Sequence, residues 1–323
     1  MSALAEHQVE FFRREGYLMV PDVFAAADLE PLRDEFTGVI HETAVELQAA
    51  GKLSRLYEEE PFERRLSRIY AETDEILGPI VGRGGGGYSG PALFAVITYP
   101  RLLQVVESLI GPEIVASSVY RVRPKIPGMA RGVVPWHQDS GYFNPHCDRD
   151  LIVTCWIPLV DATVENGCLE VLPRAHRKGV VRHYTEGPNG YLAIDDPDLP
   201  DTAAPVAVPV PLGGVLLLTN VTPHCSTPNH TDVVRWSLDL RYQHAGVPNN
   251  VGEAPQEFTW DRPDAEIACY PPEADFVVQS ARDPESVVRS AAEFNRIRQR
   301  YERTRPPGPE RGWISYDRRP GAS

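Results

Sequence analysis

At 323 residues, 42% of them hydrophobic and 24% charged, the chain is long enough to bury a sizeable core and is expected to form a single domain. A formal charge of −13 works against binding a polyanion, and the five cysteines, spread singly at Cys147, Cys155, Cys168, Cys225 and Cys269, build neither a disulfide framework nor a C-x-x-C knuckle. The N-terminus lacks the basic start and apolar run of a signal peptide, and no stretch of about 20 uninterrupted apolar residues is present, so neither nucleic acid nor membrane is expected as a partner and the cytoplasm is the expected location.

The first third reads as helical. Val9 to Glu15 forms a helix that stops at Gly16, where a left-handed cap suits glycine, and a short strand Tyr17 to Val20 follows. Leu29, Leu32 and Phe36 recur at helical spacing in a longer helix from Asp28, and two more helices are expected over Pro61 to Leu77 and Arg101 to Ile110. Gly82 to Gly87 has the glycine density of a phosphate loop without the following Gly-Lys-Ser/Thr, and reads as a connector or lid.

From Glu113 to about Gln243 the pattern changes to short β-branched and aromatic runs separated by Pro, Gly and Asn, as in an antiparallel sandwich or barrel. The runs are Ile114 to Val122, Val134 to His137, Leu151 to Leu159, Cys168 to Leu172, Gly214 to Thr219 and Val233 to Gln243. Inside them, the Pro-rich stretch Glu186 to Pro211 is either a lid or a tolerated surface insertion. A last helix is expected over Pro284 to Arg303. The Arg-rich stretches Arg64 to Arg68 and Arg296 to Arg305 read as solvated helix faces. The domain divides into a helical part (about 1–112), a β core (about 113–245) and a C-terminal extension (about 246–323).

In Pro135-Trp136-His137-Gln138-Asp139 an imidazole and a carboxylate stand two apart, so on an extended strand both project from one face. His224, just beyond the apolar run Val215 to Leu218, offers a third ligand. Two His and one carboxylate form the facial triad of non-haem Fe(II) oxygenases, with three sites filled and three open. A His-x-Asp pair alone is weak support, and the other histidines are given no metal role. Further along, alternation puts Arg235, Ser237, Asp239 and Arg241 on one face of a strand and Trp236, Leu238, Leu240 and Tyr242 on the other. A polar face on a central strand is expensive unless it lines a site, whereas an edge strand with one solvated face would show the same alternation. If it faces the metal, the Arg235 fork suits a carboxylate.

With these residues, the chain resembles the phytanoyl-CoA dioxygenase family of 2-oxoglutarate oxygenases. The resemblance covers Phe12 to Phe24 (FRREGYLMVPDVF), His137 to Phe143 (HQDSGYF), Asp150 to His176 (DLIVTCWIPLVDATVENGCLEVLPRAH) and Pro223 to Tyr242 (PHCSTPNHTDVVRWSLDLRY). It implies an α+β fold: a double-stranded β-helix (jelly-roll, cupin-like) core with flanking N-terminal and C-terminal helices. It also implies that His137, Asp139 and His224 bind Fe(II), that Arg235 and Ser226 hold the distal carboxylate of 2-oxoglutarate, and that Trp156 lies beside this co-substrate, although core packing explains Trp156 nearly as well. Asn166-Gly167 looks like a turn the family also carries and is given a structural role only.

By the same resemblance, O2 and 2-oxoglutarate are consumed with release of succinate and CO2. Because Asp139 is present where related halogenases carry a small residue, hydroxylation is favoured over halogenation, with desaturation, ring closure and epimerisation open. Tyr120, Arg123, Gln138, Tyr142, Phe143, Asp239 and Arg241 are the candidate substrate-pocket groups, placed by strand alternation or proximity to the triad. No basic cluster for the phosphates of a CoA thioester is evident, which favours a small metabolite. Lysine occurs only at Lys52, Lys125 and Lys178, a bias of GC-rich bacterial genomes that fits bacterial specialised metabolism. Two other classes stay open: a non-catalytic jelly-roll ligand-binding protein, and a Zn-dependent hydrolase or isomerase using the same triad. The oligomeric state is not legible.

Overall fold

The computed structural model describes residues 4–81, 88–117, 120–143, 145–246, 275–304 and 311–321. Its helices are α1 (Glu6–Glu15), α2 (Ala26–Ala49), α3 (Phe62–Tyr70), α4 (Gly78–Val81), α5 (Pro91–Ile97), α6 (Pro100–Ile110) and α7 (Ala291–Thr304). The strands are β1 (Tyr17–Val20), β2 (Ile114–Ser117), β3 (Arg121–Lys125), β4 (Ile152–Pro158), β5 (Leu169–Val171) and β6 (Tyr184–Thr185), then β7 (Val206–Val208), β8 (Val215–Thr219), β9 (His224–Ser226), β10 (Arg235–His244), β11 (Asp275–Gln279) and β12 (Ile314–Ser315).

α1 ends where its sequence says it must. Gly16 takes φ 86° and its N–H closes on the Phe12 carbonyl, and a Cβ there would lie 2.4 Å from the His176 ring. α2 buries Leu29, Leu32, Phe36, Ile40, Ala44 and Leu47 along one stripe. The helix expected over Pro61 to Leu77 is two pieces, α3 and a 3₁₀ turn at Asp74–Leu77, because Thr73 caps the second by accepting from Glu75 N. The Arg-rich faces are not wholly solvated: Arg65 is buried, donating to the Leu56 carbonyl, and Arg298 is buried against the Tyr120 ring. Pro91–Ile110 is apolar and long enough to cross a bilayer, but it breaks at Thr98–Tyr99 into α5 and α6, whose Leu93, Leu102 and Val106 are buried in the core.

A seven-stranded sheet runs β1-β8-β4-β10-β2-β11, with β3 also paired to β10, and a three-stranded sheet runs β7-β5-β9. Every pairing in both is antiparallel. The run expected over Ile114 to Val122 is two strands that take successive parts of the same neighbour: β2 pairs Tyr242 to His244 and β3 pairs Arg235 to Asp239. β11 adds a strand to this sheet from beyond residue 245.

β10 is therefore central, not an edge. Its even residues face the helices, where Trp236 stacks on Phe36 and Phe62 at 5.4 and 5.1 Å and the Tyr242 hydroxyl donates to the Ile97 carbonyl. The inner face of the large sheet grades from apolar to polar across the strands. Leu216, Leu218 and Trp156 pack with Leu169, Val171 and Val208 of the small sheet, while β10 contributes buried Arg235, Ser237, Asp239, Arg241 and Gln243. The glycine run Gly82 to Gly87 and Cys269 lie outside the described residues.

Candidate metal centre

Among the described residues one cluster can hold a metal, His137, Asp139 and His224, with all three ligand atoms within 4.8 Å of one another and all three side chains buried. The path to it differs from an extended strand. Val134 to His137 makes only an isolated bridge, His137 to His224, with reciprocal backbone hydrogen bonds of 3.0 and 2.9 Å. Gln138 is extended (φ −117°, ψ 141°), and Asp139 then opens a 3₁₀ turn, Asp139–Tyr142, tied down by Ser140 N donating to the Asn220 carbonyl. The bridge sets the two imidazoles 4.2 Å apart, and the turn brings the carboxylate alongside.

Each ligand is oriented from behind. His137 Nδ1 donates to the Pro135 carbonyl at 2.9 Å and His224 Nδ1 to the Thr222 carbonyl at 3.0 Å, which leaves both Nε2 atoms as the donors for a metal. Asp139 Oδ1 accepts from Arg241 Nη2 at 2.8 Å, and Oδ2 accepts from the Thr154 hydroxyl at 2.5 Å and from Arg241 Nε at 3.3 Å, so Oδ1 is the oxygen that keeps a lone pair for coordination. Burial alone would raise the Asp139 carboxyl, but the positive charges beside it, Arg241 first, outweigh this and hold it far below the carboxylate range. Burial, with His224 beside it, pushes His137 well down, so the site favours a neutral His137 and an ionised Asp139, the protonation states a divalent ion requires of these ligands. The donor set therefore fits a facially bound divalent iron.

Arg235 is buried two strand positions from Ser237, whose hydroxyl accepts from its Nη1 at 2.6 Å, and its guanidinium lies 5.0 Å over the Trp156 ring. Trp156 thus touches Arg235 as well as the core residues Leu169, Val171 and Val208. Burial brings Arg235 down to about 10, with Asp239 opposing. Ser226 shares a β9 face with His224 and accepts from Val134 N at 3.2 Å.

The pocket candidates separate. Arg123 and Asp239 form an ion pair whose Coulomb attraction outweighs the burial of Arg123 and raises it. Asp239 Oδ1 is buried without a hydrogen-bond partner. Tyr142 is 43% exposed, edge-on to His137, with its hydroxyl accepting from Leu192 N, and Phe143 lies 5.8 Å beneath the Arg241 guanidinium. Arg241 itself serves Asp139. Gln138 points elsewhere: its amide clasps the Gly179 and Val221 carbonyls and accepts from Val181 N. Tyr120 joins the helix-side core against Phe294 and Arg298.

Sequence reasoning passed over four contributors. Thr154 stands two before Trp156 on the same strand face, so the alternation that singled out Trp156 would have found it. His183 accepts from Gln138 N at 3.0 Å, between the two ligands of the His-x-Asp pair. Trp313 donates to the Gly141 carbonyl, and Arg311 donates to the Phe143 carbonyl, which ties the C-terminal residues to the turn that carries Asp139. The Pro-rich stretch Glu186 to Pro211 is not structureless: it holds two 3₁₀ turns and β7, and Ile194 N donates to the Trp136 carbonyl.

The pattern of the phytanoyl-CoA dioxygenase family (PhyH) matches residues 12–237. The human peroxisomal phytanoyl-CoA dioxygenase is 26% identical over 189 residues, 56% of this chain and 50% of the human protein, so the match spans half of that relative's length. Among solved structures, apo ThoJ, a non-heme monooxygenase, superposes with a TM-score of 0.56 at 19% identity over 91% of this chain and 96% of that one. EvdO2 of Micromonospora carbonacea var. aurantiaca, complexed with 2-oxoglutarate, superposes at 0.50 with 22% identity over 80% of this chain and 100% of that one. At these identities the structures speak to the fold, and the fold is the helix-flanked jelly roll expected from the sequence.

Proposed function

Since the chain belongs to the phytanoyl-CoA dioxygenase family, we propose that it is an Fe(II)- and 2-oxoglutarate-dependent oxygenase acting on a small molecule, with His137, Asp139 and His224 as the iron ligands. The observation that carries the reading is a conjunction: a buried two-His, one-carboxylate cluster, and a buried arginine on the β10 face that also sends Arg241 to the cluster's carboxylate. A zinc hydrolase or a binding protein has no need of the second element. Iron with 2-oxoglutarate supplies oxidation by O2, with succinate and CO2 as products.

The chain's own residues supply placement and a dry cavity. Arg235 offers a fork for the distal carboxylate of the keto acid, with Ser226 beside it and Trp156 as the wall beneath the guanidinium. Asp139, locked by Arg241 and Thr154, presents a fixed carboxylate and leaves no position for a halide, which supports hydroxylation, desaturation or ring closure over halogenation. The Arg123–Asp239 pair is the polar anchor for the substrate, with the Asp239 Oδ1 as acceptor for a hydroxyl or amine and Tyr142 at the mouth. Acyl-CoA is a poor fit. A cavity of about 660 Å³ on the α3 side has two arginines in its lining, but Arg64 and Arg68 are already paired with Asp232 and Glu60. A small metabolite of bacterial specialised metabolism and a cytoplasmic location belong to the same proposal.

The test is a mass-spectrometric screen of a metabolite library with the full chain. The expected product gains one oxygen or loses two hydrogens only when Fe(II), 2-oxoglutarate and O2 are all present, with succinate formed alongside. Turnover that persists anaerobically with Zn(II) would overturn the reading in favour of a hydrolase or isomerase.

A further inference from the structure

Arg123 of β3 and Asp239 of β10 form an ion pair that uses only part of each group. They stand one diagonal step apart on the inner face: Arg123 is opposite Ser237, and Asp239 is opposite Trp156 of β4 and Arg121 of β3. Arg123 Nε donates to Asp239 Oδ2, and among the described residues its two Nη atoms make no hydrogen bond. Asp239 is 7% exposed, with Oδ1 buried and unpartnered, whereas the Arg123 side chain is 28% exposed. Arg121, across from Asp239, donates to the Tyr120 carbonyl.

The pair lies beside the proposed iron centre. Asp239 is two positions from Arg241, which holds Asp139, and Arg123 is close enough to His137 and Tyr142 for its charge to act on both. The other charges of β10 are committed: Arg241 to Asp139 and, in the oxygenase reading, Arg235 to the keto acid. A molecule entering past Tyr142 therefore meets a pair of net charge zero, with N–H donors open on one partner and a bare carboxylate oxygen on the other. An anion serves Arg123 and is repelled by Asp239 Oδ1, and a cation does the opposite. A lone hydroxyl serves Oδ1 and leaves the Nη atoms bare. A ligand that carries both an ammonium and a carboxylate serves both halves and leaves no charge without a partner.

We propose that the substrate is a zwitterionic amino acid, held by its carboxylate on the Nη fork of Arg123 and by its ammonium on Asp239 Oδ1. The proposal deepens the oxygenase reading and rests on it. Discrimination comes from the buried pair itself. Masking the ammonium returns Asp239 Oδ1 to its unpartnered state, and masking the carboxylate does the same to the Arg123 fork, so each analogue is rejected by the half it no longer satisfies. Because the two halves act separately, each can be removed from the protein as well as from the substrate, and the two kinds of deletion should match.

The experiment supplies the full chain with Fe(II), O2, 2-oxoglutarate and a panel of proteinogenic and non-proteinogenic amino acids, each also as its methyl ester and its N-acetyl derivative. Succinate formation and product mass are the readouts. The expected result is that at least one free amino acid stimulates succinate formation and gains one oxygen or loses two hydrogens. Its ester and its N-acetyl derivative should each fall at least about tenfold in kcat/KM. Asp239→Asn should then close the gap between the free and N-acetylated substrate and keep the gap to the ester, while Arg123→Gln should close the gap to the ester alone, with the KM for 2-oxoglutarate kept in both. Derivatives turned over as well as the free amino acid overturn the proposal on the wild type alone, whether or not either variant folds. Variants that lower all three forms equally assign the pair to structure and overturn it too. So does a panel in which no free amino acid is turned over while calorimetry under argon shows 2-oxoglutarate binding to the Fe(II)-loaded chain, an outcome that leaves the oxygenase reading standing. Absence of that binding overturns the oxygenase reading, and this proposal with it.

Discussion

The two faces of β10 are built from one alternating decapeptide and do opposite work. The outer face, Trp236, Leu238, Leu240 and Tyr242, is buried against α2, α3 and α5 and holds the helices to the sheet. The inner face, Arg235, Ser237, Asp239 and Arg241, is just as buried but carries three charges, two of them paired: Asp239 with Arg123 of β3, and Arg241 with Asp139 of the ligand turn, while Arg235 donates to Ser237. Burying charge is costly unless it is paired, so the inner face is stable only as a network, and its members are held at fixed distances by the sheet. Fold and chemistry are thus adjacent in sequence and separated by a backbone.

The largest expected effects test that separation directly. His224→Ala removes one of three proposed ligands, so Fe(II) binding and turnover should both fall to background while the thermal midpoint stays within a few degrees of the parent. Trp236→Ala should do the reverse: a loss of about 3–5 kcal/mol of stability, from the cavity left between Phe36 and Phe62, with turnover per folded molecule largely kept. Iron titration and a denaturant melt on both variants read the contrast. Near-normal turnover by His224→Ala would remove that histidine from the centre.

A smaller effect is expected from Arg235→Gln, which keeps a polar side chain and deletes the cation and its fork. Hydrogen bonds to charged groups contribute about 1.5–3 kcal/mol, so the KM for 2-oxoglutarate should rise about 10- to 150-fold with a smaller change in kcat. Steady-state kinetics in 2-oxoglutarate at saturating substrate reads this. An unchanged KM would break the assignment of the inner face as the keto-acid wall.

Much of this was legible from local pattern. Alternation in Arg235 to Tyr242 gave the two faces of β10, helical spacing of Leu29, Leu32 and Phe36 gave the buried stripe of α2, and His137, Asp139 and His224 stood out by residue type. What escaped is non-local. No spacing says that Arg241 reaches Asp139 or that Lys125 stands across from Arg235, because strand register joins residues about a hundred positions apart. The extended reading of His137 to Asp139 failed for the same reason: Ser140 N is drawn to the Asn220 carbonyl, a tertiary bond that curls the chain into a 3₁₀ turn after Gln138. Gln138 looked like a pocket group by proximity, yet its amide finds backbone partners at Gly179 and Val221 and turns away.

The effect expected to be smallest at neutral pH concerns His183, which supports the ligand turn without facing the metal. Its Nδ1 donates to the Val181 carbonyl at 2.8 Å and its Nε2 accepts from Gln138 N at 3.0 Å, so this network requires the neutral ring. Burial chiefly, with Arg311 adding, brings His183 down to about 4 against an ordinary value of 6.5. A base with a lowered folded pKa binds fewer protons folded than unfolded between those two values. Stability is therefore complete above about pH 6.5, falls as pH drops toward 4, and loses on the order of 3 kcal/mol from this group by then. Asp139, held far below the carboxylate range, acts in a lower window, being lost only as pH falls below its ordinary 3.8. His137 shifts in the same direction as His183, so the readout is a difference. Urea melts of the metal-free wild type and of His183→Gln, taken from pH 7.5 to 4.5, should converge as pH falls, because the variant lacks one proton's worth of slope. Parallel curves across that range would show that His183 is not held neutral, and that the hydrogen bond to Gln138 N is not what fixes the turn between the two ligands.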